Sequence, residues 1–120
     1  MTFQFKCDST NGFSEVSGSL SFDDDNLKFE FQNNFFGLVK GEVYDVKIPF
    51  SQIEDIEFVK KLFSRKIIIS VNSLRNLDKF PLLDEYVIKI PVKKKNIEKA
   101  NEFVIKSNFN FGQYKLKQLG

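Results

Sequence analysis

The sequence predicts a mainly β domain that ends in one helix, and three observations support this. About seven short runs in the first three quarters of the chain alternate apolar and polar residues, and a period of two is typical of half-buried strands. One segment with helical spacing, from Asn96 to Asn108, follows them. At 120 residues, the chain has the size of a single domain with one core.

The first quarter of the chain predicts an opening strand and a hairpin. Phe3 and Phe5 flank polar residues and precede Asn11-Gly12, a dipeptide that is common in tight turns. Residues 16–22 and 27–31 then alternate in the same way, with Asp-Asp-Asp-Asn between them. Asp and Asn side chains accept hydrogen bonds from their own backbone, so these two runs are expected to pair through this turn.

Three further strands are predicted in the middle of the chain. Residues 44–50 alternate and contain Pro49, which favours a place at a sheet edge or a strand end. The run 53–63 is expected to pair with residues 66–71 across a tight turn at Ser64-Arg65.

The predicted loop and last strand come next. Residues 74–84 have no regular period, so we expect a loop whose leucines and Phe80 fold back onto the sheets. Residues 86–90 form the last predicted strand. Ile67–Ile69 is apolar on both faces, so one of these faces is expected to lie under the helix or a loop.

The chain ends in the predicted helix and an apolar tail. Asn96 is suited to the N-cap and Glu98 to the first turn. The residues that line one helical face are Ile97, Ala100, Phe103, Val104 and Ser107. We therefore divide the chain into a domain of residues 1–108 and an apolar C-terminal tail of residues 109–120.

Charge and composition restrict the function classes. The 18 basic and 16 acidic residues give a net charge of +2, without the excess of a dedicated nucleic-acid binder, so no nucleic-acid partner is expected. The chain has no histidine and one cysteine, Cys7, whose thiol therefore lacks the base that activates a nucleophile. We predict no catalytic residue and no cofactor, and hence no enzyme.

Metal binding and export are not expected either. The acidic turn at residues 23–26 lacks the glycine and the bidentate glutamate of a calcium loop, so we interpret it as a solvated turn. One cysteine cannot form an intramolecular disulfide, and no run of residues has the length of a membrane span. The cytoplasm is the expected compartment.

Two basic clusters form the candidate ligand site. They are Lys60, Lys61, Arg65 and Lys66 around a predicted turn, and Lys93, Lys94 and Lys95 before the helix. Together they are suited to anionic headgroups or an acidic partner, because each lysine near a charged membrane contributes about 1 kcal/mol. Solvated lysines are the simpler alternative, although a helix N-terminus is the unfavourable end of the dipole for them.

Aromatic residues in the predicted connection at residues 33–41 and in the tail are candidate partner contacts. They are Phe35, Phe36, Phe109, Phe111 and Tyr114. Exposed apolar surface often marks an interaction site. The alternative is a tail that packs against its own domain.

Three stretches of the chain point to a known superfold. They are the Gly18–Phe22 strand leading into Leu27–Phe31, the Ile48–Ile56 passage, and the single closing helix. In this order they resemble the pleckstrin-homology-like superfold, in particular its GRAM-type and bacterial members, over about residues 3–108. The resemblance implies a partly open barrel of about seven antiparallel strands capped by a C-terminal helix, and phosphoinositide or protein binding.

The chain departs from this superfold at two places. Phosphoinositide-binding relatives carry Lys and Arg around the first hairpin loop, whereas Ser9–Glu15 contains no basic residue. The tryptophan often found in the closing helix is absent, and Phe103 is the nearest residue by position. The usual phosphate site therefore does not carry over to this chain.

These patterns favour a non-enzymatic binding module that acts through protein–protein contacts or self-association. The expected partner is a protein or a second copy of the chain. Two alternatives stay open. One is peripheral binding to an anionic membrane surface through the lysine clusters, and the other is transport of a small hydrophobic ligand in a cavity of the Phe-rich barrel.

Overall fold

The computed structural model describes residues 1–9, 12, 14–35, 39–78 and 80–120. Within them it contains eight strands, two short 3-10 helices at Phe50–Gln52 and Lys94–Asn96, and one long helix. The strands and the helix are β1 (Thr2–Asp8), β2 (Ser14–Phe22), β3 (Asn26–Phe35), β4 (Val39–Pro49), β5 (Ile53–Lys60), β6 (Arg65–Val71), β7 (Leu83–Asp84), β8 (Val87–Pro91) and α1 (Ile97–Leu119).

The strands form two four-stranded antiparallel sheets. Their orders are β1-β2-β3-β4 and β5-β6-β8-β7. The predicted hairpin of residues 16–22 and 27–31 is confirmed, because Leu20 of β2 pairs with Phe29 of β3. The prediction of a mainly β fold capped by one helix is also confirmed, with eight strands in the described residues where about seven were expected.

Gly18 allows strands β2 and β3 to approach each other closely. It pairs with Phe5 on β1 and Phe31 on β3, and a Cβ built on it would lie 2.1 Å from the backbone oxygen of Glu30. No other residue type fits so close an approach of two backbones.

The core joins both sheets and the helix. The alternating residues Leu20, Leu27 and Phe29 are buried in the first sheet, and Ile67 and Ile69 in the second. Ile68 between them is half-buried. It lines a groove on the other face of the second sheet together with Lys61, Lys66 and Lys89.

The predicted fold-back of the loop at residues 74–84 is confirmed for most of its apolar side chains. Leu77, Phe80 and Leu82 are buried, whereas Leu74 is exposed. The Phe80 ring lies 4.8 Å from that of Phe29 and meets it edge to face. The loop also contains the two-residue strand β7, which the sequence did not predict.

The helix begins where it was predicted and ends later. Asn96 occupies the N-cap position, but its side chain makes no capping hydrogen bond. Phe103 is fully buried, and its ring lies 5.5 Å from that of Phe22. The predicted end at Asn108 is wrong, because α1 continues to Leu119. Residues 109–119 are therefore helix, and the helix has 23 residues.

Among the described residues, no helix combines the length and the hydropathy needed to span a membrane.

Candidate functional site

The hairpin between β5 and β6 presents two large apolar side chains to solvent. Lys60 pairs with Arg65, and the backbone N–H of Lys61 donates to the carbonyl of Ser64 at 2.7 Å. The turn therefore comprises residues 61–64, and the predicted turn at Ser64-Arg65, with a strand reaching residue 63, is wrong. At its apex Leu62 is 84% exposed and Phe63 is 89% exposed. We call residues 60–66 the hairpin tip.

The fold places the second basic cluster beside the hairpin tip. Strand β8 runs next to β6, so Lys66 pairs with Pro91. The N–H of Val92 then donates to the carbonyl of Arg65 at 2.8 Å, and Nε of Arg65 donates back to the carbonyl of Val92 at 3.3 Å. Lys93 follows directly. The contacts between Arg65 and Val92, which are 27 residues apart in sequence, thus hold the start of the second cluster next to the first.

The charges at this end are not paired with acids in the described structure. Its ion pairs use Lys6, Lys28, Lys89 and Lys106, and none of the seven basic residues predicted as the ligand site takes part. Lys60 instead holds its Nζ 5.9 Å from the ring centroid of Phe58. The side chains of Lys60, Lys61 and Lys93–Lys95 are exposed, while Arg65 and Lys66 are half-buried.

Lys93 and Lys95 also line an open groove of about 490 Å³ next to the first sheet. Lys6 and the hydroxyl-bearing Ser17 and Ser19 lie on its other side, together with Glu30. The groove is therefore lined by charges of both signs.

The predicted partner contacts are divided between surface and core. Phe35 and Phe109 are exposed, and Phe36 lies outside the described residues. Phe111 is buried, with its ring 5.5 Å from that of Phe50, so it belongs to the core and cannot meet a partner. Tyr114 is half-buried against the same Phe50 at 5.8 Å.

Cys7 has the environment of an unreactive thiol. Burial, reinforced by the negative charges of Asp8 and Glu15, raises its pKa to about 11, against a weaker opposing effect of Lys93. At neutral pH the thiol is therefore protonated and a poor nucleophile. In the described part of the chain, no group of three or more histidine, cysteine or acidic side chains is placed to hold a metal ion.

A second groove lies on the face of the first sheet. It has a volume of about 590 Å³ and includes Phe31, Tyr44 and Phe80, with the first two rings stacked at 5.5 Å. Asn33 also lines it, and its buried Oδ1 has no hydrogen-bond partner in the described structure. The rings of Phe31, Tyr44 and Phe80 give this open groove an apolar lining that suits a hydrophobic ligand.

The basic residues of the hairpin tip were predicted from the sequence, but the apolar apex between them was not. The signal was present as Leu62-Phe63 enclosed by Lys60-Lys61 and Arg65-Lys66. It was missed because these apolar residues were assigned to the preceding strand.

No protein-family model, curated protein or solved structure matches this chain.

Proposed function

We propose that the protein is a non-enzymatic binding module that docks peripherally on anionic membrane surfaces through the hairpin tip. The observation that carries this proposal is the pair Leu62 and Phe63, which are almost fully exposed at the apex of a turn enclosed by four basic residues. The apolar apex enters the headgroup region, and the basic residues bind the anionic lipids around it.

The two contributions are of similar size and reinforce each other. Burying a leucine or phenylalanine side chain contributes roughly 1.5–3 kcal/mol, and each basic residue close to an anionic surface contributes about 1 kcal/mol. The apex alone would bind any bilayer weakly, and the charges alone would be screened by salt. Together they select membranes that are rich in anionic lipid.

The lysine run Lys93–Lys95 extends the basic surface. Its residues are exposed and precede the N-terminus of α1, which is the positive end of the helix dipole. Asn96 makes no capping hydrogen bond there, and Glu98 is the acidic residue of the first turn. A run of lysines at this position adds to a positive field that favours an anionic ligand.

We further propose a remote relationship to the pleckstrin-homology-like superfold. Two four-stranded antiparallel sheets with a C-terminal helix packed on them are what that relationship leads one to expect. The proposed membrane contact lies at the β5–β6 hairpin, whereas the first hairpin loop, which carries the basic residues in phosphoinositide-binding relatives, lacks them here.

Vesicle co-sedimentation tests the proposal. We expect the protein to pellet with vesicles in which a third of the lipid is phosphatidylglycerol and not with pure phosphatidylcholine, and to be released by salt. The double variant Leu62→Ser/Phe63→Ser should weaken binding roughly tenfold or more, and Lys61→Glu should weaken it at low salt.

Two matched controls assign the effect to the hairpin tip. Val43→Ser changes an exposed apolar residue on β4, and Lys117→Glu changes an exposed lysine in the last turn of α1. Both should bind like the wild type. Equal binding to the two vesicle types, or hairpin-tip variants that bind like these controls, would contradict the proposal.

A further inference from the structure

A small groove on the outer face of the second sheet begins at the hairpin tip. Its volume is about 150 Å³, and the residues that line it are Val59, Lys61, Ser64, Lys66, Ile68 and Lys89. Three of them are lysines and one carries a hydroxyl, and no acidic residue of the described structure belongs to the lining. We call it the lysine groove.

The strand register places these side chains in rows that lead away from the tip. Lys66 lies one residue beyond the Lys60–Arg65 pair that closes the turn, and Ile68 follows two residues later, paired with Lys89 of β8. Residues two apart on a strand, and residues directly opposite on neighbouring strands, share a face. Lys66, Ile68 and Lys89 therefore lie together on the face opposite to the buried Ile67.

The lysines at the tip end of the groove have no acidic partner in the described structure. Lys61 and Lys66 take part in none of its ion pairs, whereas Lys89 pairs with Asp84 at 3.3 Å. Glu57 is opposite Ile68 on β5, so the acidic side chains of this face lie at or beyond the row of Lys89. Two positive charges thus stay unneutralised next to the apolar apex.

We propose that the lysine groove binds a phosphate monoester, with the headgroup of phosphatidate as its membrane source. A phosphate monoester carries about −1.5 to −2 charges at pH 7 and three strong acceptor oxygens. Three ammonium groups and a hydroxyl, which come from the turn and from two strands, match this charge and number of acceptors. A carboxylate or a phosphate diester carries a single negative charge and would use fewer of these donors.

The size of the groove selects the phosphate group over a bulky headgroup. Pockets that enclose whole small molecules have volumes of roughly 300–1,000 Å³, about twice that of the lysine groove or more. The ligand is therefore expected to place its phosphate in the groove and to leave the rest of the molecule outside it.

The position of the groove relative to the apex fits a lipid phosphate, and for this lipid source the inference rests on the proposed function. From Phe63 to Lys66 the chain extends at most roughly 10 Å. Apolar side chains of peripheral proteins enter the boundary between headgroups and acyl chains to a depth of roughly 5–10 Å. Insertion of Leu62 and Phe63 would therefore bring Lys61 and Lys66 level with the lipid phosphates.

Vesicles of equal surface potential test the lipid source. Phosphatidate and phosphatidylglycerol are each mixed into phosphatidylcholine until the two vesicle types have the same zeta potential. The attraction of all exposed lysines is then the same for both, so a preference reports the groove. We expect the wild type to bind the phosphatidate vesicles roughly tenfold more tightly, as extra charge-assisted hydrogen bonds require.

Two variants and two matched controls assign this preference. Ser64→Ala and Lys66→Gln should bring it close to onefold. Ser70 lies on the same face outside the groove, where it pairs with Asp55 and Val87, and Lys95 is an exposed lysine before the helix. Ser70→Ala and Lys95→Gln should therefore keep the full preference, even where Lys95→Gln weakens binding to both vesicle types.

Titration with glycerol 3-phosphate tests the groove without a membrane. Chemical-shift changes of the backbone amides should concentrate at residues 61–68 and at Lys89, and they should vanish in Lys66→Gln. Glycerol alone should cause no such changes. Circular dichroism of each variant checks that it remains folded.

The outcomes separate this inference from the proposed function. Equal binding to the matched vesicles, with no shifts in the groove, overturns the inference even where the hairpin-tip variants confirm membrane docking. A phosphatidate preference that survives Ser64→Ala and Lys66→Gln overturns it as well. Shifts confined to the groove of a protein that binds no vesicle support the phosphate site, identify its source as soluble and overturn the proposed function alone.

Discussion

The two faces of α1 are both apolar, yet only one is explained by the fold. The inner face is buried against the sheets, and its residues are Ala100, Phe103, Val104, Ser107 and Phe111. The opposite face carries Ile105, Phe109, Gly112, Leu116 and Leu119, which we call the outer stripe, and its large side chains are left in solvent. Residue type alone does not separate the two faces. What separates them is whether the chain itself supplies a partner.

Polar contacts fix which face turns inward. Nδ2 of Asn108 donates to the carbonyl of Ile56 at 2.8 Å, and Nδ2 of Asn110 donates to the carbonyl of Asp23 at 3.3 Å. These bonds hold the helix against β5 and against the turn between β2 and β3. Rotating the outer stripe inward would break them and expose Phe103, so the outer stripe is available for an external contact.

The largest expected effect comes from emptying the inner face. Phe103→Ala removes a fully buried ring that contacts Phe3 and Phe22, and it should lower the free energy of unfolding by roughly 3–5 kcal/mol. Urea unfolding measures this value.

The matched control for that variant is Phe109→Ala on the outer stripe. It truncates the same side chain at an exposed position and should change stability by less than about 0.5 kcal/mol. The comparison must be made at a concentration where the chain is monomeric. A loss below about 1 kcal/mol for Phe103→Ala would mean that the two faces are energetically alike.

Elements that bury a single face were predictable from the sequence, and the two-faced helix was predictable only in part. The β2–β3 hairpin was predictable because Leu20, Leu27 and Phe29 are all buried in one core. The apolar residues of these strands therefore keep an undisturbed period of two. The end of the helix was not predictable from a single stripe. Phe109 and Phe111 are two residues apart, which places them about 200° apart around a helix, so they read as irregular although both are helical.

The candidate site was predictable in its charges and not in its shape. Lys60–Lys61 and Arg65–Lys66 are visible in the sequence, but the apolar residues between them continue the pattern of β5. Only the pairing of Lys60 with Arg65 converts them into a turn. The contact of Arg65 with Val92, which brings the lysine run nearby, depends on the order of strands in the second sheet and has no local signal.

A smaller effect should come from Gly112, at the centre of the outer stripe. Gly112→Ala adds a Cβ that meets nothing in the described structure and reduces the helix cost of glycine, so it should raise the stability of the monomer by about 0.5–1 kcal/mol. Urea unfolding at low protein concentration measures this gain. A loss of stability would show that the outer face is already occupied within the chain.

The smallest expected effect concerns the β2–β3 turn, where the carbonyl of Asp23 accepts the hydrogen bond from Asn110 of α1. The carboxylate of Asp23 accepts hydrogen bonds from the backbone N–H groups of Asp25 and Asn26, both at 2.8 Å, and pairs with Lys28 at 3.1 Å. The hydrogen bond from Asp25 is the main cause that lowers the pKa of Asp23 from 3.8 to about 2, and Lys28 and Asn26 lower it further.

Because the folded pKa lies below the unfolded one, this carboxylate stabilises the protein fully above about pH 4, and the contribution is lost as pH falls toward about 2. The side chain is 41% exposed, so solvent screening limits the contribution to less than about 1 kcal/mol. Unfolding measured across this pH range should show a shallower acid slope in Asp23→Asn than in the wild type. Asp24→Asn removes the same charge one residue along and should keep the wild-type slope, because the hydrogen bonds of the turn converge on Asp23. If both variants flatten the slope equally, the effect belongs to the general charge of the turn and not to the contact beneath the inner face.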